Sequence, residues 1–403
     1  MKVRFFTREY PPYVYGGAGV HVEYLARELS HRMDVEVKCF GDQDVESAHL
    51  QIKGYKDNLT GMDHTQPELS PIFKTLNTCI QMNGGTMNAD LVHCHTWYAQ
   101  FAGILSKLCY GTPLVVTTHS LEPLRPWKRE QLGRGYDASS WIEKTAIEMA
   151  DAVIAVSEEA KQDVLKHFEV SPDKISVIYN GIDLEEYNVT SETSALEKYG
   201  VDPSRPYVLF VGRITRQKGI VHLVNALAYL DPGIQVVLCA GAPDTPEIGN
   251  EMKEKVEAVQ KIRNHVIWIS EMLSKPDVIQ LYSHAAVFCC PSIYEPFGII
   301  NIEAMACKTA VFASSVGGIK EVVTPQTGIL VPLDQETIAP FEASHPEVFA
   351  QDLANAINKL MRDEKLRTEM GENGRKRVEN YFDWKSIAKQ TEELYHKILR
   401  REK

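Results

Sequence analysis

The sequence predicts an α/β protein made of two doubly wound, parallel-sheet domains in tandem. Short apolar runs alternate with amphipathic stretches through glycine-bearing turns, the pattern of βαβ units. The alternation lapses into a polar stretch at 185–205 and then restarts. The length, 403 residues, divides at ~150 residues per domain into two or three cores, two being the simplest count.

The elements follow in order. A first strand, Val3-Arg4-Phe5-Phe6, ends before Pro11-Pro12. The cluster Gly16-Gly17-Ala18-Gly19 then opens a helix whose Val22, Leu25, Ala26 and Leu29 share one face. Val35–Phe40 is the next strand, and further strands are expected at 91–93, 114–117, 152–156 and 175–178. After the polar stretch, Tyr207–Val211 runs into Gly212 and a helix from about 219 to 230. Strands at 235–239, 266–269, 287–290 and 310–313 complete the second half, and a charged, helix-rich tail starts near Phe349. Ile387, Leu394, Tyr395 and Ile398 give its last helix an apolar face.

Composition bounds the function. Hydrophobic residues at 44% and charged residues at 24% supply two ordinary cores and exclude dominant disorder. With 43 Lys+Arg against 54 Asp+Glu, the net charge of −11 argues against nucleic acid or anionic membrane as the main partner. The first residues lack a signal-peptide apolar core, and no apolar run reaches the ~20 residues of a membrane span. The eight cysteines mostly lie in apolar stretches without a Cys-x-x-Cys pair, which reads as reduced thiols in a cytoplasmic protein.

Ligands of open α/β sheets bind beyond the carboxyl ends of the strands, so the residues after each strand carry the functional reading, and a cleft between two such sheets is the default site. The Gly16–Gly19 cluster at a helix start suits an anion or, equally, a tight turn. In Gly212-Arg213-Ile214-Thr215-Arg216-Gln217-Lys218-Gly219, three cations precede a helix N-terminus, where positive charge is misplaced unless an anion such as a diphosphate joins it. Walker spacing is absent. In Ser292–Ala306, Pro296 reads as lying near a helix start, with Glu295 in the loop. Glu303, among Ile302, Ala304 and Met305, is either a buried acceptor for paired ligand hydroxyls or a helix-surface acid.

Together these features resemble a retaining glycosyltransferase of the two-Rossmann GT-B type, family 4. The signs are the glycine loop after the first strand, the Gly-Arg…Lys-Gly loop, and Glu295 eight residues before Glu303. The run Thr118-His119-Ser120-Leu121-Glu122-Pro123-Leu124-Arg125-Pro126-Trp127-Lys128, with Gly135-Tyr136 and Ser140-Trp141, narrows the resemblance to short, actinobacterial-type bacterial glycogen synthases. The resemblance implies that Arg213 and Lys218 hold the donor diphosphate and Glu303 the ribose hydroxyls. It places Glu295, with the amides of Gly298, Ile299 and Ile300, on the transferred glucose and distal phosphate. It sets His119 by the reacting sugar and Gly17 facing the donor phosphates, with His119, Arg213, Lys218 and Glu295 as the catalytic group. Tyr15, His95, Trp127 and Tyr136 fall on the acceptor side. Longer glycogen synthases carry Lys-Thr-Gly-Gly where this chain has Val14-Tyr15-Gly16-Gly17, so a cation there is replaced by one hydroxyl.

The implied activity is transfer of glucose from a nucleotide-glucose, ADP-glucose before UDP-glucose, with retention. The acceptor is an α-1,4-glucan end or glucose 1-phosphate, the latter giving maltose 1-phosphate. No cofactor or essential metal is expected, and assembly of identical copies is left open. Competing readings are a sucrose- or trehalose-type synthase, a glycolipid mannosyltransferase, or an inactive glucan-binding protein. Asp42-Gln43-Asp44 reads as a solvated acidic turn rather than a metal motif, and His93/His95, on one strand face, lack a further ligand pair. By the same resemblance the last helix returns to the first domain. That gives domains 1–185 plus 385–403 and 186–384, with a cleft that closes on the donor.

Overall fold

The structure is a computed structural model describing residues 1–60, 67–336 and 341–401. Residues 402 and 403 of the expected C-terminal return lie outside them. The chain forms two compact units, Met1–Gly181 with Trp384–Lys403, and Ile182–Asp383. The crossings therefore fall at 181/182 and 383/384 rather than at 185/186 and 384/385. Backbone pairing draws them there. The Ile182 amide donates to the Phe382 carbonyl at 2.7 Å, and Ile182 bridges Asp383 in parallel. On the other side Gly181 abuts Trp384 so closely that a Cβ would stand 2.5 Å from the indole.

Among the described residues the first unit holds eight strands: β1 (Lys2–Phe6), β2 (Asp34–Phe40), β3 (Asp44–Glu46), β4 (Leu50–Tyr55), β5 (Leu91–His95), β6 (Leu114–Thr118), β7 (Ala152–Ala155) and β8 (Ile175–Val177). Their order is β3-β4-β2-β1-β5-β6-β7-β8, parallel except for the β3–β4 pair. β5, β6 and β7 are buried along their whole length, as parallel strands covered on both faces must be. On one face Val3, Phe5, Val35, Val37 and Leu91 meet Leu25 and Leu29 of helix Gly17–Ser30 and Ile387, Tyr395 and Ile398 of helix Trp384–Arg401. Each such buried side chain contributes ~1.5–3 kcal/mol, so the returning helix is part of the first core.

The second unit holds β9 (Tyr207–Arg213), β10 (Gln235–Gly241), β11 (Val266–Ile269), β12 (Val287–Cys290), β13 (Ala310–Ser314) and β14 (Gly328–Val331). All pair in parallel, in the order β11-β10-β9-β12-β13-β14. Counted within the unit this is 3-2-1-4-5-6, the doubly wound dinucleotide-fold order. The predicted fold class is thus the observed one.

Three strands had no clear sequence signal. β4 and β3 form a polar edge, and β14 is a four-residue run behind Gly328. The acidic turn read at 42–44 is half strand, since Asp44 opens β3. Asp42 is paired with Lys56 at 2.8 Å and Asp44 with Lys53 at 2.5 Å, and all four side chains are exposed.

Candidate donor and acceptor sites

In the second unit the strand order reverses between β9 and β12, and the two loops leaving those strands are locked together. Gly219 has φ +62° and lies where a Cβ would stand 2.0 Å from the Pro291 carbonyl oxygen, so glycine is required on two counts. The Ile293 amide donates to the Gln217 carbonyl at 2.9 Å. This backbone contact brings Lys218 Nζ to 2.6 Å from Glu295 Oε2, which Ser292 Oγ also approaches at 3.4 Å. Burial alone would lower the Lys218 pKa, but the Glu295 carboxylate overrides it and the ammonium is held above its ordinary range.

The sequence argument that this loop's cations lack an anion is corrected here. Arg213 Nη1 lies 2.8 Å from Asp244 Oδ1, Arg216 lies 3.7 Å from Glu342, and Lys218 has Glu295. The carboxylates come from segments distant in sequence, so the loop alone could not reveal them.

Helix Ile299–Ala306 starts three residues after Pro296, which thus lies near a helix start as the sequence suggests. Gly298, with φ +95°, makes the turn into it, and Glu295 and Pro296 lie packed under Gly317 and Gly318. The Gly318 amide donates to the Glu295 carbonyl at 2.9 Å. The first amides of such a helix have no partner inside it, so those of Ile299 and Ile300 sit at a turn that favours an anion.

The surface reading of Glu303 is excluded, because its side chain is buried. Tyr187 Oη donates to its Oε1 at 3.1 Å and Tyr282 Oη to its Oε2 at 3.0 Å. Burial raises its pKa, and the two hydroxyls work against that rise. Neither tyrosine stood out in the sequence, nor did Asp244. Asn301 also went unread; it is buried, and both its amide atoms lack a hydrogen-bond partner among the described residues.

In the first unit the order reverses between β1 and β5. Glu9, just after β1, accepts from the Tyr15 and Gly16 amides at 2.7 and 2.8 Å. The first amide of the glycine cluster and the amide just before it therefore already hold an anion, the protein's own. Gly19 is tight for the same reason, since a Cβ would meet Glu9 at 2.8 Å. Gly17 and Tyr15 remain exposed.

His95 ends β5 and its Nδ1 lies 3.1 Å from Nε2 of His119, which follows β6. His21 joins them, its ring centroid 4.7 Å from that of His119 and its Nδ1 2.6 Å from Asn180 Oδ1. His93, the residue paired with His95 in the sequence reading, is spent elsewhere, between Tyr395 Oη and Thr117 Oγ1 at 2.7 Å each. The trio with ligand atoms within 4.8 Å of one another is His21, His95 and His119, from three different elements. Burial lowers the pKa of all four rings, that of His21 to about 4, so the array is neutral at pH 7. Thr96, directly after His95, is held at φ +63°, an uncommon conformation for threonine at a strand end facing a switch point.

Two acceptor-side expectations change. Trp127 and Tyr136 are buried, and the Tyr136 hydroxyl donates to the Glu122 carbonyl. The Tyr136 bond helps to anchor the 119–127 segment, and neither ring presents an open aromatic surface. Glu122, itself buried, pairs with Arg125 and accepts from Ser139 Oγ at 2.8 Å, while its amide donates to Glu143 at 2.6 Å. Arg8, after β1, lies over the Tyr98 ring with Cζ 4.0 Å from the centroid.

Two mainly parallel α/β sheets, the second in the doubly wound order with a cation-bearing loop at its switch point, are the layout of a nucleotide-binding class of fold. The chain matches the family model "Glycosyltransferase Family 4" over residues 15–186 and "Glycosyl transferases group 1" over residues 191–377. It belongs to this family of glycosyltransferases, with the GT-B fold. It is 46% identical to the alpha-maltose-1-phosphate synthase of Mycolicibacterium smegmatis, over 99% of this chain and 100% of that protein. To the alpha-maltose-1-phosphate synthase of Mycobacterium tuberculosis it is 43% identical, again over 99% and 100%. Among solved structures, sucrose-phosphate synthase from Thermosynechococcus elongatus superposes with a TM-score of 0.79 at 25% identity, covering 99% of each chain. No helix among the described residues is long and apolar enough to cross a membrane.

Proposed function

We propose that this glycosyltransferase moves glucose, with retention, from a nucleotide-glucose to glucose 1-phosphate, forming maltose 1-phosphate, with an α-1,4-glucan end as the second acceptor. ADP-glucose is the donor put forward first. The observation that carries the reading is full-length similarity to two alpha-maltose-1-phosphate synthases. The switch point of the second unit agrees with it. There Arg213, Lys218 and the amides of Ile299 and Ile300 can hold the diphosphate as the C1–O bond to it breaks. Glu303 can accept from the ribose hydroxyls, and Glu295 with Gly298 can orient the glucose. The acceptor's 4-hydroxyl attacks C1 on the face the diphosphate leaves, and its proton passes to a leaving phosphate oxygen. His119, held neutral by burial, can accept from or donate to the sugar without adding charge. In the first unit Arg8 has no carboxylate partner among the described residues, and with Arg125 and Lys128 it can receive an anionic acceptor.

The reading is tested by incubating the protein with ADP-glucose or UDP-glucose, each with glycogen or glucose 1-phosphate, and separating products by anomer. Maltose 1-phosphate of α configuration is expected. Extension of glycogen with no turnover of glucose 1-phosphate would make the glucan the acceptor, and an inverted product would remove the retaining mechanism. Arg8→Ala should raise the KM for glucose 1-phosphate without changing that for the donor. An unchanged acceptor KM would take Arg8 out of the acceptor site.

A further inference from the structure

We propose that Tyr187 and Tyr282 are positioning residues that fix the Glu303 carboxylate for the donor's ribose, and so set how strongly the enzyme demands ribose hydroxyls. This rests on the ribose role given to Glu303 above. Glu303 sits in the middle of a largely buried helix, beside Ile302, Ala304 and Met305. No Lys, Arg or His lies within ion-pair distance of it among the described residues, and a carboxylate left so is costly to bury. What it has instead is one tyrosine hydroxyl on each oxygen, at 3.1 and 3.0 Å.

That choice of partner has a chemical consequence. A guanidinium would take both oxygens side by side and cancel the charge. A phenol gives one proton to one lone pair and leaves the charge in place. Each carboxylate oxygen keeps a second acceptor position, so the pair of oxygens can take two adjacent hydroxyls at once. The two phenols also fix the plane of the carboxylate, since they come from different elements. Tyr282 belongs to helix Lys275–His284, and its backbone carbonyl accepts from Thr309 Oγ1. Tyr187 lies in the irregular segment after the crossing at 181/182. Its carbonyl accepts from Arg375 Nη1 at 2.8 Å, and the same nitrogen donates to Ala306, the last residue of the helix that carries Glu303, at 2.9 Å. Arg375 thus ties the segment of one phenol to the helix of the carboxylate it serves.

The test uses the intact protein and two probes: ADP or UDP, whichever binds more tightly, and the 2′,3′-dideoxy form of the same nucleotide. Affinities are measured by calorimetry for wild type, Glu303→Gln, Tyr187→Phe, Tyr282→Phe and the double variant Glu303→Gln/Tyr282→Phe, with donor KM and kcat alongside. Each phenylalanine variant should bind the ribonucleotide roughly 5- to 10-fold more weakly, the size of one net hydrogen bond. It should bind the dideoxy form as wild type does, and keep kcat at saturating donor. In the Glu303→Gln background Tyr282→Phe should cost nothing more. Equal weakening toward both nucleotides, or a further full loss in the double variant, would show a merely structural role and overturn the proposal. If Glu303→Gln itself fails to reduce the preference for the ribonucleotide, the ribose assignment falls first and this proposal with it. If Glu303→Gln reduces it and neither phenylalanine variant does, only the tyrosine proposal falls.

Discussion

Lys218 and Glu295 form a largely enclosed ion pair at 2.6 Å, with side chains 19% and 9% exposed. Removing the cation strands the carboxylate, and breaking such a pair costs about 3–5 kcal/mol when it is fully buried. Lys218→Ala is therefore expected to lower both turnover and the urea midpoint. Arg213→Ala should lower turnover by the equivalent of ~3 kcal/mol, and it too should lower the urea midpoint, because it takes the paired cation from the Asp244 carboxylate, 7% exposed. Near wild-type turnover of Arg213→Ala at saturating donor would remove Arg213 from the diphosphate. Glu303 has a raised pKa, first because of burial. Its ionised form is the acceptor, so donor affinity should fall as pH drops, and fall at higher pH than an ordinary carboxylate would require. A donor 1/KM that is flat down to the ordinary carboxylate range would contradict this.

At the scale of elements, Gly219 joins the β9 and β12 loops by direct backbone contact. Gly219→Ala should destabilise the second unit and, by moving Lys218 from Glu295, raise the donor KM; a variant with unchanged melting and KM would show that the loops can part freely. In the first unit, three fully buried rings, His21, His93 and His95, cross between β5 and the helix Gly17–Ser30. Burial lowers their pKa from the ordinary value near 6.5. Below that value the unfolded chain binds protons that the folded chain does not, so stability rises with pH and is lost as pH falls beneath about 6.5. Each ring contributes a slope of up to ~1.4 kcal/mol per pH unit. Urea unfolding at pH 7 and pH 5 checks this, with the lower midpoint expected at pH 5.

For the whole molecule, the chain passes twice between its units, and its last helix closes the core of the first. Truncation after Asp383 removes Trp384, Ile387, Tyr395 and Ile398 from beneath β1 and β5, together with the Tyr395 hydroxyl bonded to His93. Such a chain should lose cooperative unfolding of the first unit, seen in hydrogen exchange of β1, β5 and β6, while the second unit stays protected. Equal protection of both units would show that the helix is dispensable.

Much of this was legible in the amino acids, because it depends on local pattern. Apolar runs such as Leu114–Thr117 and Val287–Cys290 declare parallel strands by composition, and the glycines and helix faces declare the βαβ order. The candidate loops declare themselves by where they stand, after strand ends. β3 at the sheet edge and β4 beside it stayed hidden because β3 is exposed throughout and β4 buries Ile52 alone of its six residues, so neither makes an apolar run. What no local pattern contains is partnership between distant residues. Asp244 beside Arg213, Glu295 beside Lys218, Tyr187 and Tyr282 on Glu303, and His21 beside His119 each join separate elements. Only the folded sheet order, which sets β9 against β12 and β1 against β5, decides which charges meet and which hydroxyls a buried carboxylate receives.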